Sequence, residues 1–221
     1  ENDKIGERTF HYWRANSAAR NLFQSEKDFN CLESAKIIYL SGITLAILSK
    51  QARASLIEWL RVKRQEKNIF FDINFRQTLW PDLDEAREIL KKVMRLATLC
   101  FPSEEDLRYL FGSISNSELT KGYCQNPNEL IIIKKGGGKP PEIVWGEYKS
   151  LKLKDFIKLD EVLDATGAGD SFNAGFIGAH LMGQTLSNSL MFANDLASRT
   201  LNHLGAICPA EQTKEFDLSK H

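Results

Sequence analysis

The sequence has no excess of charge. Its 29 Lys and Arg balance 29 Asp and Glu over 221 residues, and the isoelectric point lies near 7.1. Such a chain projects no long-range field for gathering nucleic acid or anionic lipid, so charge-driven polyanion binding is disfavoured. Cysteine is scarce too: Cys31, Cys100, Cys124 and Cys208 are scattered without a C-x-x-C pair. In a chain too large to need covalent staples, that pattern is expected of reduced thiols in a cytoplasmic protein. The four histidines, His11, His180, His203 and His221, show no H-E-x-x-H or other ligand spacing, which speaks against a zinc site. There is no N-x-[ST] acceptor and no signal peptide at the start. The longest uncharged run, Ser171 to Asn194, is broken by Asn173, His180, Gln184, Ser187 and Asn188 and fails as a membrane span. Two glycine motifs are also missing. Gly167-x-Gly169-x-x-Phe172 lacks the third glycine of a dinucleotide fingerprint, and Pro140 stands where a P-loop needs its hydroxyl after Lys139.

What is present is a globular composition, 43% hydrophobic and 26% charged, in a length with room for one sizeable core and little for a second. From Lys36 onward, short apolar runs alternate with stretches of helical period, the order of a mostly parallel sheet with helices on both faces. Ile37–Leu40, Ile69–Ile73, Leu99–Phe101 and Leu130–Ile133 are almost continuously apolar, as strands buried on both faces should be. Between them, Ala52, Leu56, Trp59 and Leu60 make one helical stripe and Ala86, Ile89, Leu90 and Val93 another, the latter opened by Asp82 and Glu85 in capping-box spacing. Ser103 is expected to cap a third helix, with Asp106 three residues on and Gly112 as its stop.

Later, Glu142–Tyr148 and Leu151–Leu159 read as a hairpin and a strand, followed by two helical segments separated by Gly183. Ala174, Gly175, Gly178 and Ala179 would let the second of these, lined by Leu190, Ala193, Ala197, Leu201 and Leu204, approach closely. The opening stretch Arg8–Arg14 has a two-residue period with aromatic residues on both faces, the pattern of an exposed strand.

The segment richest in chemistry is Leu163-Asp164-Ala165-Thr166-Gly167-Ala168-Gly169-Asp170-Ser171-Phe172. A small-residue turn entering a helix presents backbone N–H groups and the positive end of the dipole, a geometry suited to a phosphoryl group. Asp170 among those donors could take a proton from an incoming hydroxyl. The spacing alone is equally compatible with a tight turn and an ordinary first-turn carboxylate.

This segment resembles the C-terminal signature of ribokinase-like (PfkB) sugar kinases. Gly6-Glu-Arg8-Thr-Phe10-His-Tyr12-Trp-Arg14, Asp72-Ile-Asn74-Phe-Arg76-Gln-Thr-Leu-Trp80 and Tyr39-Leu-Ser-Gly-Ile43 with Leu45-Ala-Ile-Leu-Ser49 are similar to one branch, the kinases of 2-keto-3-deoxygluconate. The resemblance runs through nearly the whole chain, in order. It implies a three-layer α/β/α fold with a mostly parallel sheet over residues 17–221, and the remnant of a β lid over residues 1–16. It implies Asp170 as catalytic base, and Gly167, Ala168 and Gly169 as the anion hole around the transferred phosphate. Tyr12, Arg14 and Arg76 fall on substrate-contacting positions, where a guanidinium fork suits a sugar carboxylate. Asn74, Arg76, Ser103, Lys135, Gly136, Gly138, Gly167, Gly169 and Asn194 fall along the nucleotide. ATP and Mg²⁺ are the implied cofactors, any metal arriving with the phosphates.

Where the family usually has Asn-x-x-Glu near the metal, this chain has Ser103-Glu104-Glu105-Asp106, and its loop Lys135-Gly-Gly-Gly-Lys-Pro-Pro141 is irregular. The first residue, Glu1, is not Met, so the family's first strand and di-glycine segment are expected to precede it. The expected activity is ATP-dependent phosphorylation of a small sugar acid. The alternatives are a kinase for a neutral sugar such as fructose, or a truncated remnant that binds nucleotide without turnover. The expected partners are small molecules, with neither nucleic acid nor membrane, and the Arg8–Arg14 strand offers a surface for pairing with a second copy.

Overall fold

A computed structural model describes residues 17–136, 139–146, 149–153, 156, 162–209 and 211. The expected lid strand at residues 1–16, with Tyr12 and Arg14, and the loop residue Gly138 lie outside them. In chain order the described elements are α1 (Asn30–Glu33), β1 (Ile37–Ser41), α2 (Gly42–Ile47), α3 (Lys50–Lys63), β2 (Asn68–Asp72), α4 (Leu83–Met94), β3 (Leu99–Phe101), α5 (Glu104–Phe111), α6 (Asn116–Tyr123), β4 (Leu130–Ile133), β5 (Glu142–Trp145), β6 (Lys149–Lys152), α7 (Ala168–Leu181) and α8 (Leu186–Leu201). The described residues divide into two compact units. One comprises the described residues within 17–133 and 143–150, the other those within 134–142 and 151–211.

The strands form one mostly parallel sheet in the order β1-β2-β3-β4-β5-β6. β1 pairs in parallel with β2, β2 with β3, and β3 with β4; Leu40 lies opposite Phe71, and Phe71 opposite Cys100. Helices flank the sheet, so its inner strands are covered on both faces. That is why β3 and β4 are buried at every position and why their sequences are apolar without alternation. Leu45, Leu60, Ile69, Phe71, Ile73 and Leu90 make the centre of this core.

Helix starts follow the expected side-chain chemistry. Ser49 Oγ accepts from Ala52 N at the head of α3, and Asp82 Oδ1 accepts from Asp84 N and Glu85 N at the head of α4. Glu85 does not close a capping box; its carboxylate meets Lys50 and Arg53 instead. Ser103 with Asp106 does close one at α5, and Gly112 ends that helix at φ 71°. A second box, Ser115 with Glu118, opens α6.

Arg53 is a buried cation held by three acceptors. Its guanidinium donates to Leu45 O at 2.8 Å, Leu48 O at 3.2 Å and Glu85 Oε1 at 3.0 Å, and lies 4.8 Å from the centre of the Trp80 ring. Two of those acceptors are carbonyls at the end of α2, which have no helical partner of their own. Arg53→Met is therefore expected to lower stability by about 2 kcal/mol by stranding these acceptors. A urea midpoint unchanged from wild type would show that water replaces the guanidinium at no cost.

In the other unit, α7 and α8 pack as a pair around the turn at Gly183, whose φ is 83°. A Cβ on Gly175 would stand 2.9 Å from Ala193 Cα, so this contact requires glycine. Ala179 is buried, whereas Ala174 and Gly178 face outward, so the close approach uses half of the expected small-residue set. Leu190 and Ala193 are buried on α8, and Leu204 is exposed beyond it.

Candidate active site

α7 opens on Gly167, which no other residue can replace without strain. Its φ is 76°, in the left-handed region, and a Cβ there would lie 2.4 Å from Ala206 O. The turn is clamped from below by Asp164, whose carboxylate accepts from Thr166 N at 3.0 Å and Gly205 N at 2.7 Å. Asp164 is fully buried, and Leu163 N and Asp164 N both donate to Leu201 O. Thr200 Oγ1, on α8, donates to Ser171 Oγ at 2.8 Å. The glycine turn is thus fixed to the end of α8 on several sides.

The first helical bond of α7 runs from Ser171 N to Gly167 O at 2.8 Å. Gly169 N and Asp170 N come earlier in the helix and have no carbonyl to reach. Neither has an acceptor among the described residues, and glycine at the cap supplies no side chain to cover them. Thr166 Oγ1 beside them is buried without a hydrogen-bond partner among the described residues. Asp170 is exposed in the first turn, its carboxylate in no hydrogen bond or ion pair among the described residues. Bare amides, an orphaned hydroxyl and an open carboxylate fit an anionic group with a proton-bearing neighbour.

Two consecutive lysines leave β4 for opposite fates, as alternation along an extended chain dictates. Lys135 Nζ lies 2.8 Å from Glu142 Oε2, and the Glu142 side chain is only 3% exposed. Sequence reasoning set Lys135 beside a nucleotide; here its ammonium neutralises a buried acid. Lys134 faces the glycine turn: a Cβ on Gly169 would stand 3.8 Å from its Nζ. Gly136 is exposed with open space around it, and Asn194 is half-buried in the middle of α8. At the far end of α7, His180 stacks on Phe176, and burial holds its imidazole below the usual range.

The remaining expected residues belong to the sheet unit, at the C-terminal ends of strands where open α/β sheets gather ligands. Asn74 follows β2 with φ 35°, a left-handed conformation that a short amide side chain tolerates. Buried Asp106 organises this end. Its Oδ1 accepts from Phe75 N at 2.8 Å, and its Oδ2 accepts from Ser103 N and Ser103 Oγ, each at 2.7 Å. The Ser103 hydroxyl is consumed in this capping box, and Asp106 ties the Asn74-Phe75-Arg76 loop to the head of α5. Arg76 is exposed, its guanidinium without a hydrogen-bond or ion-pair partner among the described residues. From the sequence Asp106 is expected as a cap and at the family's usual glutamate position near the metal, and Lys134, whose Nζ lies near Gly169, is not singled out. Among the described residues no three His, Cys, Asp or Glu side chains gather as a metal cage, and no helix is long and apolar enough to cross a membrane.

A parallel sheet covered by helices, with a helix whose glycine-headed amides are left open to an anion, is the framework of an α/β kinase domain. The chain belongs to the pfkB family of carbohydrate kinases, whose profile matches residues 1–213. It is similar to the 2-dehydro-3-deoxygluconokinase of Dickeya dadantii, 34% identical over 217 residues, which are 96% of this chain and 69% of that protein. It is also similar to probable fructokinase-6, chloroplastic, of Arabidopsis thaliana, 31% identical over 95% of this chain and 56% of the relative. Among solved structures, an uncharacterised sugar kinase of Pyrococcus horikoshii in complex with ATP superposes with a TM-score of 0.66 at 26% identity, covering 81% of this chain and 57% of that one. The chain thus spans less than two thirds of the length of that structure.

Proposed function

We propose that the chain transfers the γ-phosphoryl group of ATP to a hydroxyl of a small sugar acid, 2-keto-3-deoxygluconate at its terminal carbon. The observation that carries the reading is the exposed Asp170 carboxylate in the first turn of α7 beside the unbonded Gly169 and Asp170 amides. It is supported by the likeness to a 2-dehydro-3-deoxygluconokinase over nearly the whole chain and by the ATP complex of the similar P. horikoshii kinase. Asp170 accepts the proton of the attacking hydroxyl. The amides stabilise charge on the phosphoryl oxygens as they pass through the transition state, and alignment carries most of the barrier reduction. Mg²⁺ bound to the triphosphate would offset its charge; such an ion keeps waters and phosphate oxygens as ligands and needs no protein cage.

The likeness to a fructokinase favours a second reading, with a neutral sugar as acceptor. The test is phosphorylated product from ATP with 2-keto-3-deoxygluconate and with fructose, side by side. Product from the acid sugar alone supports the proposal, and product from fructose alone supports the rival. An ATP-induced rise in melting temperature with no product from either means a nucleotide-binding remnant. Arg76 gives a sharper contrast, because a guanidinium fork meets a carboxylate with two charge-assisted bonds. Arg76→Ala is expected to raise KM about tenfold for the acid sugar and hardly at all for a neutral one. Equal losses on both would remove carboxylate recognition from Arg76.

A further inference from the structure

We infer that Trp80, held by the buried guanidinium of Arg53, is a positioning residue for Arg76, fixing the turn from which Arg76 meets the acid group of the sugar. The inference rests on the role given to Arg76 above. Arg76 is exposed and its guanidinium has no partner among the described residues, so its backbone alone sets where the side chain starts from. That backbone leads into a single 3-10 turn, Gln77–Leu79, with Arg76 at its head and Trp80 at its end. Leu79 N donates to Arg76 O at 2.9 Å, and Trp80 N donates to Gln77 O at 3.1 Å. A turn this short has little stability of its own and keeps its shape only if its ends are held.

Both ends are held, by different means. Before Arg76, Asp106 Oδ1 accepts from Phe75 N, and the Phe75 ring centre lies 5.3 Å from that of Tyr109. After it, Trp80 is buried with the Arg53 guanidinium 4.8 Å from the centre of its ring. Arg53 is a fixed point because its N–H groups are already given to Leu45 O, Leu48 O and Glu85 Oε1. A flat guanidinium serves three acceptors in its plane and still offers a face to an indole, which an ammonium does not. Pro81 restricts Trp80 further, to the extended backbone it shows at ψ 115°. A two-bond ion pair with a carboxylate depends on direction, so a turn set beforehand lowers the ordering cost of sugar binding.

The test is a double-mutant cycle between Trp80 and Arg76. Trp80→Leu keeps an apolar side chain and removes the ring face, and Trp80→Phe keeps a ring. With 2-keto-3-deoxygluconate, Trp80→Leu is expected to raise KM about fivefold with kcat within about twofold of wild type, and Trp80→Phe to recover most of the loss. KM for ATP should stay unchanged. In Arg76→Ala, where the contact is already gone, Trp80→Leu should raise KM no further, because the two residues act as one unit. A tryptophan that only fills the core gives losses that multiply in the double variant. Multiplied losses, or a wild-type KM in Trp80→Leu, overturn the inference alone. If Trp80→Leu does not fold, Arg53→Lys, which keeps the charge and loses the fork, replaces it in the same cycle and is read the same way. A wild-type KM for the acid sugar in Arg76→Ala removes Arg76 from the site and overturns the inference together with carboxylate recognition. Calorimetric affinity for the sugar runs the cycle without turnover, so a wild-type protein that forms no product sinks the kinase reading while the coupling still judges Trp80.

Discussion

Replacing Asp170 by Asn is expected to lower kcat by about 10²-fold or more while leaving the fold and nucleotide affinity close to wild type. The amide has the size of the carboxylate and keeps its place in the first turn of α7, so the glycine turn, clamped by Asp164 and by Thr200 through Ser171, has no reason to move. What disappears is a group that can take a proton as the alcohol attacks. The structural cost is that of a carboxylate removed from a helix N-terminus, about 0.5 kcal/mol at an exposed position. A melting temperature near wild type together with a collapsed kcat separates the two roles. Turnover within a few-fold of wild type would remove Asp170 as the base.

The second large effect concerns stability. Gly42 opens α2 directly after β1, and a Cβ on it would stand 2.0 Å from Ile73 O and 3.0 Å from Leu90 Cδ2. The nearer atom is backbone, so no rotamer change relieves the overlap, and the helix or the end of β2 must shift. Gly42→Ala is expected to cost about 3 kcal/mol or more, at the upper end for overpacking. Ile73 leads straight into Asn74 and Arg76, so what remains folded should also bind substrate less well. Gly122, in α6, is the control. Nothing lies within 4 Å of its added Cβ, and alanine there should raise stability by roughly 0.5–1 kcal/mol through helix propensity. Equal denaturation midpoints for Gly42→Ala and wild type would mean that α2 is not packed against β2 in this way.

The element order was legible because a sheet covered on both faces writes its inner strands as uninterrupted apolar runs. Leu99–Phe101 and Leu130–Ile133 match β3 and β4 residue for residue. The cap at Ser103 and the stop at Gly112 were legible for a local reason: both act within one turn of their own helix. α2 and α6 escaped notice because each is short, and α2 is set by tertiary packing of Gly42 rather than by a run of periodic residues. The expected box at Asp82 closed only by half because Glu85 is drawn to Arg53 and Lys50, partners no local pattern announces.

Within the candidate site, the sequence alone determined the glycine turn and the carboxylate after it, since Gly167-Ala168-Gly169-Asp170 encodes their geometry in four adjacent residues. Which lysine lies near that turn was decided only by the fold. Lys134 and Lys135 are identical in composition and neighbours in sequence, and the direction each side chain takes out of β4 separates an ammonium beside the amides from one bound to buried Glu142. The same holds for Asp106, legible as a cap and revealed by long-range folding as the clamp on Phe75 N. Contacts that close within one turn are written in residue spacing, whereas contacts between distant segments depend on where the packed sheet and helices bring them.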